Sequence, residues 1–303
     1  MNENLLNQIF RIRKIEETIA EIYPSDKIQS PVHLSNGQEA VAVGVCNHLE
    51  ITDLVFGSYR GHALYLAKGG DLKKMMAELF GKRTGSGKGK AGSMHLADAD
   101  VGVMGCSAIV ASTISHAVGA AYGAKLRKSG QVVVCFFGDG ATGEGVYHES
   151  LNFAAKHCIP ILFVCENNGW AISTRVKDVH SFEIASHART YGFSATRLEE
   201  GWDVDKIFYV AGQEIEALRA GQGPRYVEIQ TSRYMQHVGP EPGIDASPQS
   251  KESPVDWRIR DPLTNIQLEA SVLADVEKEL KEAIDFAEHS AFPDIQDLLE
   301  DVY

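Results

Sequence analysis

Apolar residues near the start of the chain recur at the spacing of an α-helix. Leu5, Ile9 and Ile12 belong to one such stripe, which continues until Pro24 follows it. The spacing predicts an amphipathic helix over residues 3–23. Comparable patterns predict further helices at 38–48, 71–80, 112–128, 143–157, 203–219 and 268–289.

Two uninterrupted apolar runs stand in the middle of the chain, at 132–137 and 159–165. Runs of this length and composition are typical of strands that are covered on both faces. The helix predicted at 143–157 separates them, so the three elements form a βαβ unit with parallel strands. A further strand is predicted at 225–231. We therefore expect an α/β fold with a mostly parallel central sheet and helices on both faces.

Glycine dominates residues 81–107, which contain seven glycines and few large apolar side chains. This composition predicts a mobile loop, and 239–256 is predicted to be a second flexible loop. No repeat or linker divides the chain. We expect one domain over 1–303, with an N-terminal helical extension at about 1–30 and a C-terminal helical segment at about 262–303.

Composition excludes several classes of function. The chain has 303 residues, 44% of them hydrophobic, and a net charge of −12, which argues against nucleic acid as a partner. No apolar run is long enough to span a membrane, and the first residues lack the layout of a signal peptide. The five cysteines show no zinc spacing and are expected to be reduced, so a cytoplasmic location is predicted.

The segment that follows the first buried strand carries the strongest chemical signal. Asp139 stands between Gly138 and Gly140, and the second strand leads to Asn168, about thirty residues later. Open α/β sheets bind ligands beyond the carboxyl ends of their strands, where glycines let a diphosphate approach the backbone. Carboxylate and amide oxygens are ligands that Mg²⁺ accepts alongside phosphate. Either motif alone is typical of a surface turn, but both at the ends of consecutive strands favour a diphosphate–Mg²⁺ site.

This pair of motifs, Gly-Asp-Gly and Asn-Asn, resembles the signature of thiamine-diphosphate enzymes. The wider sequence resembles the alpha subunit of the decarboxylating component of 2-oxo-acid dehydrogenase complexes, which act on pyruvate, acetoin or branched-chain 2-oxo acids. The resemblance covers essentially the whole chain, and it implies the thiamine-diphosphate-binding fold. Its motifs include 33–40, Tyr59-Arg60-Gly61-His62, 88–96, 117–122, 137–145, 165–174 and the closing Asp301-Val302-Tyr303.

The resemblance also implies roles for individual residues. It implies that Asp139, Asn168 and the backbone carbonyl of Trp170 bind Mg²⁺. It implies that thiamine diphosphate contacts Tyr59, Arg60, Ala108, Val110, Asp139, Gly140, Ala141, Asn168 and His237. It implies catalytic roles for His237, His33 and His62, and His95 is predicted to line the active site.

In two-chain members of this family, a beta subunit supplies the glutamate that activates the cofactor. The 303 residues contain no second, pyrimidine-binding half. We therefore expect a beta subunit as partner, in an assembly of two alpha and two beta chains, with a 2-oxo-acid substrate and a lipoyl acyltransferase as acceptor.

The sequence departs from the family pattern in the loop that borders the active site. The family commonly has His-Gly-His-Ser where this chain has Met235-Gln236-His237-Val238, and the phosphorylatable serine is missing. The departure leaves the 2-oxo acid open. It also motivates an alternative function, a thiamine-diphosphate decarboxylase or carboligase that uses an aldehyde acceptor. A second alternative, from another class, is a non-catalytic scaffold that keeps the fold.

Overall fold

The computed structural model describes residues 2–241, 260–264 and 266–300. In this part of the chain, the central sheet has six strands in the order β2-β1-β3-β4-β8-β7, and all its neighbouring pairs are parallel. The strands are β1 (Leu54–Ser58), β2 (Val103–Ser107), β3 (Val133–Gly138), β4 (Ile161–Asn167), β7 (Ser194–Leu198) and β8 (Arg225–Gln230). Two short strands, β5 (Trp170–Ala171) and β6 (Thr174–Arg175), form a separate antiparallel pair.

Helices cover both faces of this sheet because the side chains of each strand alternate between two cores. Val134 and Phe136 of β3 belong to one core, and Cys135 and Phe137 belong to the other. The predicted α/β fold with a mostly parallel sheet is therefore confirmed. The helices of the described residues are α1 (Glu3–Ile22), α2 (Glu39–Cys46), α3 (His62–Ala67), α4 (Leu72–Leu79), α5 (Ser112–Arg127), α6 (Gly145–His157), α7 (Val176–Val179), α8 (Ile184–Arg189), α9 (Val204–Arg219) and α10 (Ala270–His289).

The N-terminal helix is built into the larger of the two cores. Leu5, Ile9, Ile12, Ile15 and Ile19 of α1 are almost completely buried, as the apolar stripe in the sequence predicts. The other predicted helices and the predicted strands are present within a few residues of their expected bounds. The closing residues 301–303 and most of the loop predicted at 239–256 lie outside the described residues.

The prediction of one mobile glycine-rich loop over 81–107 is wrong in two respects. Its last five residues form β2, which pairs with β1 at the edge of the sheet. The part before β2 is held by the buried carboxylate of Glu78, which accepts backbone hydrogen bonds from it. Composition favoured a mobile loop because it does not show that a buried acceptor lies under the glycines.

Within the described residues, no helix is both long enough and apolar enough to cross a membrane. All five cysteines are free, and Cys158 alone among them is exposed.

Candidate active site

A cavity of about 320 Å³ lies at the carboxyl ends of the central strands. β3 leads into it through Gly138 and Asp139, and the adjacent β4 contributes Glu166 and leads to Asn168. Every predicted cofactor and metal residue lines this cavity, together with His33. The predicted residues on its wall are His33, Tyr59, Arg60, Ala108, Val110, Asp139, Gly140, Ala141, Asn168, Trp170 and His237.

Asp139 is the buried acid of this cavity. Its side chain is almost inaccessible, and its Oδ2 atom has no hydrogen-bond partner among the residues that the structure describes. Burial raises the pKa of Asp139 to about 6, although backbone N–H groups, including that of Asn168, partly offset the shift. A buried carboxylate oxygen without a donor is costly, so this arrangement is suited to binding a cation at Oδ2. No cluster of three His, Cys, Asp or Glu side chains that could hold a metal occurs among the described residues.

The two asparagines after β4 have different surroundings. Asn167 is buried and donates to Glu228 at 2.7 Å, so it connects β4 to β8. Asn168 faces the cavity, donates to the side chain of Gln38 at 3.1 Å and accepts the backbone N–H of Trp170 at 3.1 Å. Only the second asparagine therefore brings its amide to the cavity beside Asp139.

Arg60 is the buried cation of the cavity. Its guanidinium donates to the backbone carbonyls of Leu34 at 2.6 Å and His237 at 3.3 Å. Burial, reinforced by Arg233, lowers the pKa of Arg60 to about 10, so it stays protonated at neutral pH. Its acceptors are uncharged carbonyls, and the net positive charge can therefore attract an anion.

Glu166 is a cavity carboxylate for which no role was predicted from the sequence. Burial raises the pKa of Glu166 to about 7, while Arg60 and a hydrogen bond with Gln38 oppose the shift. Gln38 and Met94 also line the cavity without having been predicted. Glu166 and Gln38 stand in motifs that were recognised, but only the direction in which β4 and α2 present them shows that they reach the cavity.

His33 and His237 meet at the cavity wall with Tyr59. The His33 ring lies 5.1 Å from that of His237 and 4.6 Å from that of Tyr59, measured between centroids. Burial, with the nearby charge of Arg60, lowers the pKa of His33 to about 3, so its ring is neutral at physiological pH. Its Nδ1 atom has no hydrogen-bond partner in the described part of the chain and can form a hydrogen bond with a bound molecule.

His62 lies outside the cavity. Its side chain is completely buried, with Nδ1 2.9 Å from Glu16 and Nε2 2.7 Å from Ser93. Both ring nitrogens are engaged, so nothing in this arrangement supports its predicted catalytic role. His95, which was also predicted to line the active site, is exposed and is not among the cavity residues.

Exposed apolar residues surround the mouth of the cavity. Ile109 is 68% exposed and Val110 44% exposed, although both line the cavity wall. Ile172 on the opposite loop is 60% exposed and has a left-handed backbone with φ 57°. Left-handed conformations of branched residues are uncommon and cluster at functional sites. A cavity rimmed in this way is suited to a partner that covers it.

The close approach of Ala171 requires a glycine at position 140. A Cβ atom at this position would lie 2.9 Å from the Cβ of Ala171, closer than real side chains approach. The glycine therefore lets the loop after β4 pack against the turn that carries Asp139.

The chain is similar to known proteins over almost its whole length. Residues 7–296 match the family described as dehydrogenase E1 component. The alpha subunit of acetoin:2,6-dichlorophenolindophenol oxidoreductase from Bacillus subtilis is 37% identical over an alignment of 311 positions, which covers 99% of this chain and 92% of the relative. The alpha subunit of the pyruvate dehydrogenase E1 component from Porphyra purpurea is 37% identical, covering 94% of this chain and 88% of the relative.

Solved structures with the same fold include two transketolases. That of Campylobacter jejuni has a TM-score of 0.60 at 18% identity, and that of Pichia stipitis a TM-score of 0.60 at 15% identity. The matches cover 96% and 94% of this chain but only 49% and 45% of the transketolases, so the chain spans about half their length. The fold is thus shared with enzymes whose chains are about twice as long. The resemblance seen in the sequence motifs is confirmed, and the chain belongs to the dehydrogenase E1 component family.

Proposed function

We propose that this chain is the alpha subunit of a thiamine-diphosphate- and Mg²⁺-dependent 2-oxo-acid dehydrogenase. It would decarboxylate a 2-oxo acid such as pyruvate and pass the acyl group to a lipoyl carrier. The proposal rests on one observation above all. A single cavity holds a buried cation, Arg60, and a buried carboxylate, Asp139, whose Oδ2 atom lacks a donor.

These residues fit the group that the family implies. The diphosphate would neutralise the positive charge of Arg60, and Mg²⁺ would be the positively charged partner that Oδ2 of Asp139 lacks. Asn168 and the Trp170 carbonyl would complete the protein ligands, which is a donor set of oxygens suited to Mg²⁺ shared with phosphate.

The remaining cavity residues would bind the cofactor and the substrate and orient them. Ala108 and Val110 would pack against the aminopyrimidine, and Gly140 and Ala141 would bring the backbone close to the diphosphate. His33, held neutral, would form a hydrogen bond with a bound substrate through Nδ1, and His237 beside it would carry a proton to or from that substrate. When bound, thiamine diphosphate supplies the electron sink that the loss of CO₂ requires.

A beta subunit is part of this proposal. The exposed apolar side chains of Ile109, Val110 and Ile172 at the cavity mouth support a second chain at this position. That chain would supply the activating glutamate, in an assembly of two alpha and two beta chains. This chain would act as one cofactor-binding domain of the assembly, in the cytoplasm.

Binding of thiamine diphosphate and Mg²⁺ to the purified alpha–beta pair tests the site. We expect Asp139→Ala to weaken this binding at least about 100-fold, since a hydrogen-bonded charge in a buried site contributes several kcal/mol. The exposed Asp178→Ala, in α7, is the matched control and should bind as the unmodified pair does. Unchanged binding by Asp139→Ala would contradict the site and favour a non-catalytic scaffold.

The acceptor is tested with the same pair, a 2-oxo acid and either lipoamide or an aldehyde. The departure at 235–238 motivates the aldehyde alternative, in which the enzyme is a decarboxylase or carboligase. We expect turnover with lipoamide. Turnover with aldehydes alone would overturn the dehydrogenase assignment while keeping the cofactor site.

A further inference from the structure

We infer that Glu78, which is outside the cavity, is a positioning residue for it. Its carboxylate holds the glycine-rich segment 85–92 and thereby places Met94 in the cavity wall. The inference rests on the proposed function, since it concerns the same cavity. It adds a residue that neither touches the cofactor nor stands in a cofactor motif.

Four backbone N–H groups converge on this carboxylate. Gly87 and Gly89 donate to Oε2 at 2.7 and 2.9 Å, and Ala91 and Gly92 donate to Oε1 at 2.7 and 2.9 Å. Glu78 lies at the end of α4 and is only 1% exposed. The segment therefore wraps around one buried negative charge, and hydrogen bonds to a charged acceptor are the stronger kind.

The glycines are explained by this wrapping. A Cβ atom on Gly85 would collide with Oε2 of Glu78, and one on Gly89 would lie 2.6 Å from the carbonyl oxygen of Gly81. Gly89 and Gly92 also have left-handed backbones, with φ of 74° and 67°. Side chains at these positions would push the segment off the carboxylate.

The end of the segment is fixed by a second buried group. Ser93 is fully buried, its Oγ lies 2.7 Å from Nε2 of His62, and its N–H donates to Ser30 at 2.9 Å. His62 in turn contacts Glu16 of α1. Met94 follows directly and lines the cavity, so its place depends on the backbone that Glu78 and His62 hold.

The outer side of the segment is covered by the C-terminal part of the chain. The Lys90 ammonium donates to the backbone carbonyls of Asp297 at 3.0 Å and Glu300 at 2.7 Å. Arg83 forms an ion pair with Asp297 at 2.9 Å. The segment is thus held from both sides, with Glu78 as its buried anchor.

Hydrogen–deuterium exchange of the full chain, paired with its beta subunit, tests the anchor. In Glu78→Gln the amide keeps the shape but replaces one acceptor oxygen by a donor. Each oxygen accepts two N–H groups, so we expect the amides of 87–92 to exchange at least about tenfold faster, as the loss of two charge-assisted hydrogen bonds predicts. Gly85→Ala, which displaces the segment and leaves the charge in place, should have the same effect if Glu78→Gln fails to fold.

The positioning role is tested on the same proteins by thiamine diphosphate affinity and by the KM for the 2-oxo acid. Both variants should raise the dissociation constant for thiamine diphosphate, the KM, or both about tenfold, while the exposed Glu277→Gln in α10 leaves both constants unchanged. Wild-type exchange rates at 87–92 would overturn the anchor. Faster exchange with unchanged constants would leave Glu78 a purely structural residue and overturn the inference. If the unmodified pair bound no thiamine diphosphate, the proposed function itself would fail.

Discussion

His33 shows how strongly single residues of the cavity are perturbed. Burial and the charge of Arg60 lower the pKa of His33 from 6.5 to about 3. The unfolded chain therefore binds a proton at this residue as the pH falls below 6.5, whereas the folded chain does not until about 3. Protonation of His33 therefore does not lower the stability of the folded chain above about pH 6.5. As the pH falls from 6.5 towards 3, protonation increasingly favours the unfolded state, and stability is progressively lost.

We expect His33→Gln to reduce the acid sensitivity of the chain. Between about pH 7.5 and about pH 5, the free energy of unfolding of the unmodified chain should fall by about 2 kcal/mol more than that of the variant, because glutamine does not titrate. Urea unfolding at the two pH values measures this difference.

The exposed His116→Gln in α5 is the control for this measurement. Its pH-dependent change should match that of the unmodified chain within about 0.5 kcal/mol. Equal pH dependence of His33→Gln and the unmodified chain would show that His33 is not held neutral in the folded state.

Helix α1 is joined to its neighbours by a buried ion-pair network as well as by apolar packing. Arg13 donates to Glu39 of α2 through two nitrogens and to Asp261 at 2.8 Å. Although burial opposes it, Glu39 and Asp261 raise the pKa of Arg13 above its ordinary value. Burial raises the pKa of Glu39, an effect that Arg13 partly offsets. Glu39 is therefore costly to leave without its cation.

Replacement of Arg13 by methionine should cost about 3–5 kcal/mol of unfolding free energy, since it leaves a buried carboxylate uncompensated. The double variant Arg13→Met with Glu39→Gln should recover part of this loss. Chemical denaturation measures both. Lys14→Met, at the exposed neighbouring position, should change stability by no more than about 0.5 kcal/mol. A cost below about 1 kcal/mol for Arg13→Met would contradict the network.

The elements with clear apolar periodicity were predicted correctly, and those without it were missed. The apolar side chains in the stripe of α1 and in the runs that form β3 and β4 are buried, so the local sequence is sufficient to predict these elements. β2 was taken for loop because its residues Val103–Ser107 include a glycine and two polar or small residues at an edge. Its pairing with β1 is a long-range contact that no local pattern records.

At the scale of the whole molecule, the cavity mouth exposes apolar side chains that a second chain would cover. We expect Ile109→Asp to prevent pairing with the beta subunit, because a buried aspartate at an apolar interface lacks a partner. Size-exclusion chromatography of the mixed chains should show them separate. The melting temperature of the chain alone should be unchanged, since Ile109 is 68% exposed.

Ile51→Asp is the matched control, as Ile51 is 66% exposed, does not line the cavity and precedes the amino end of β1, whose carboxyl end meets the cavity. This variant should pair as the unmodified chain does. Pairing that is retained in Ile109→Asp, or lost equally in both variants, would place the interface elsewhere.

The sequence by itself determined the α/β class and the pairing of Asp139 with Asn168, because apolar periodicity and the spacing of motifs are local properties of the chain. The family and the other predicted cavity residues followed from the resemblance of its motifs to a known family. Only the tertiary structure decided that Glu166 and Gln38 face the cavity, that His62 does not, and that Glu78 orders the glycine-rich segment. Burial and hydrogen-bond partners come from distant parts of the chain, and they decide whether a polar side chain is catalytic, structural or a backbone anchor.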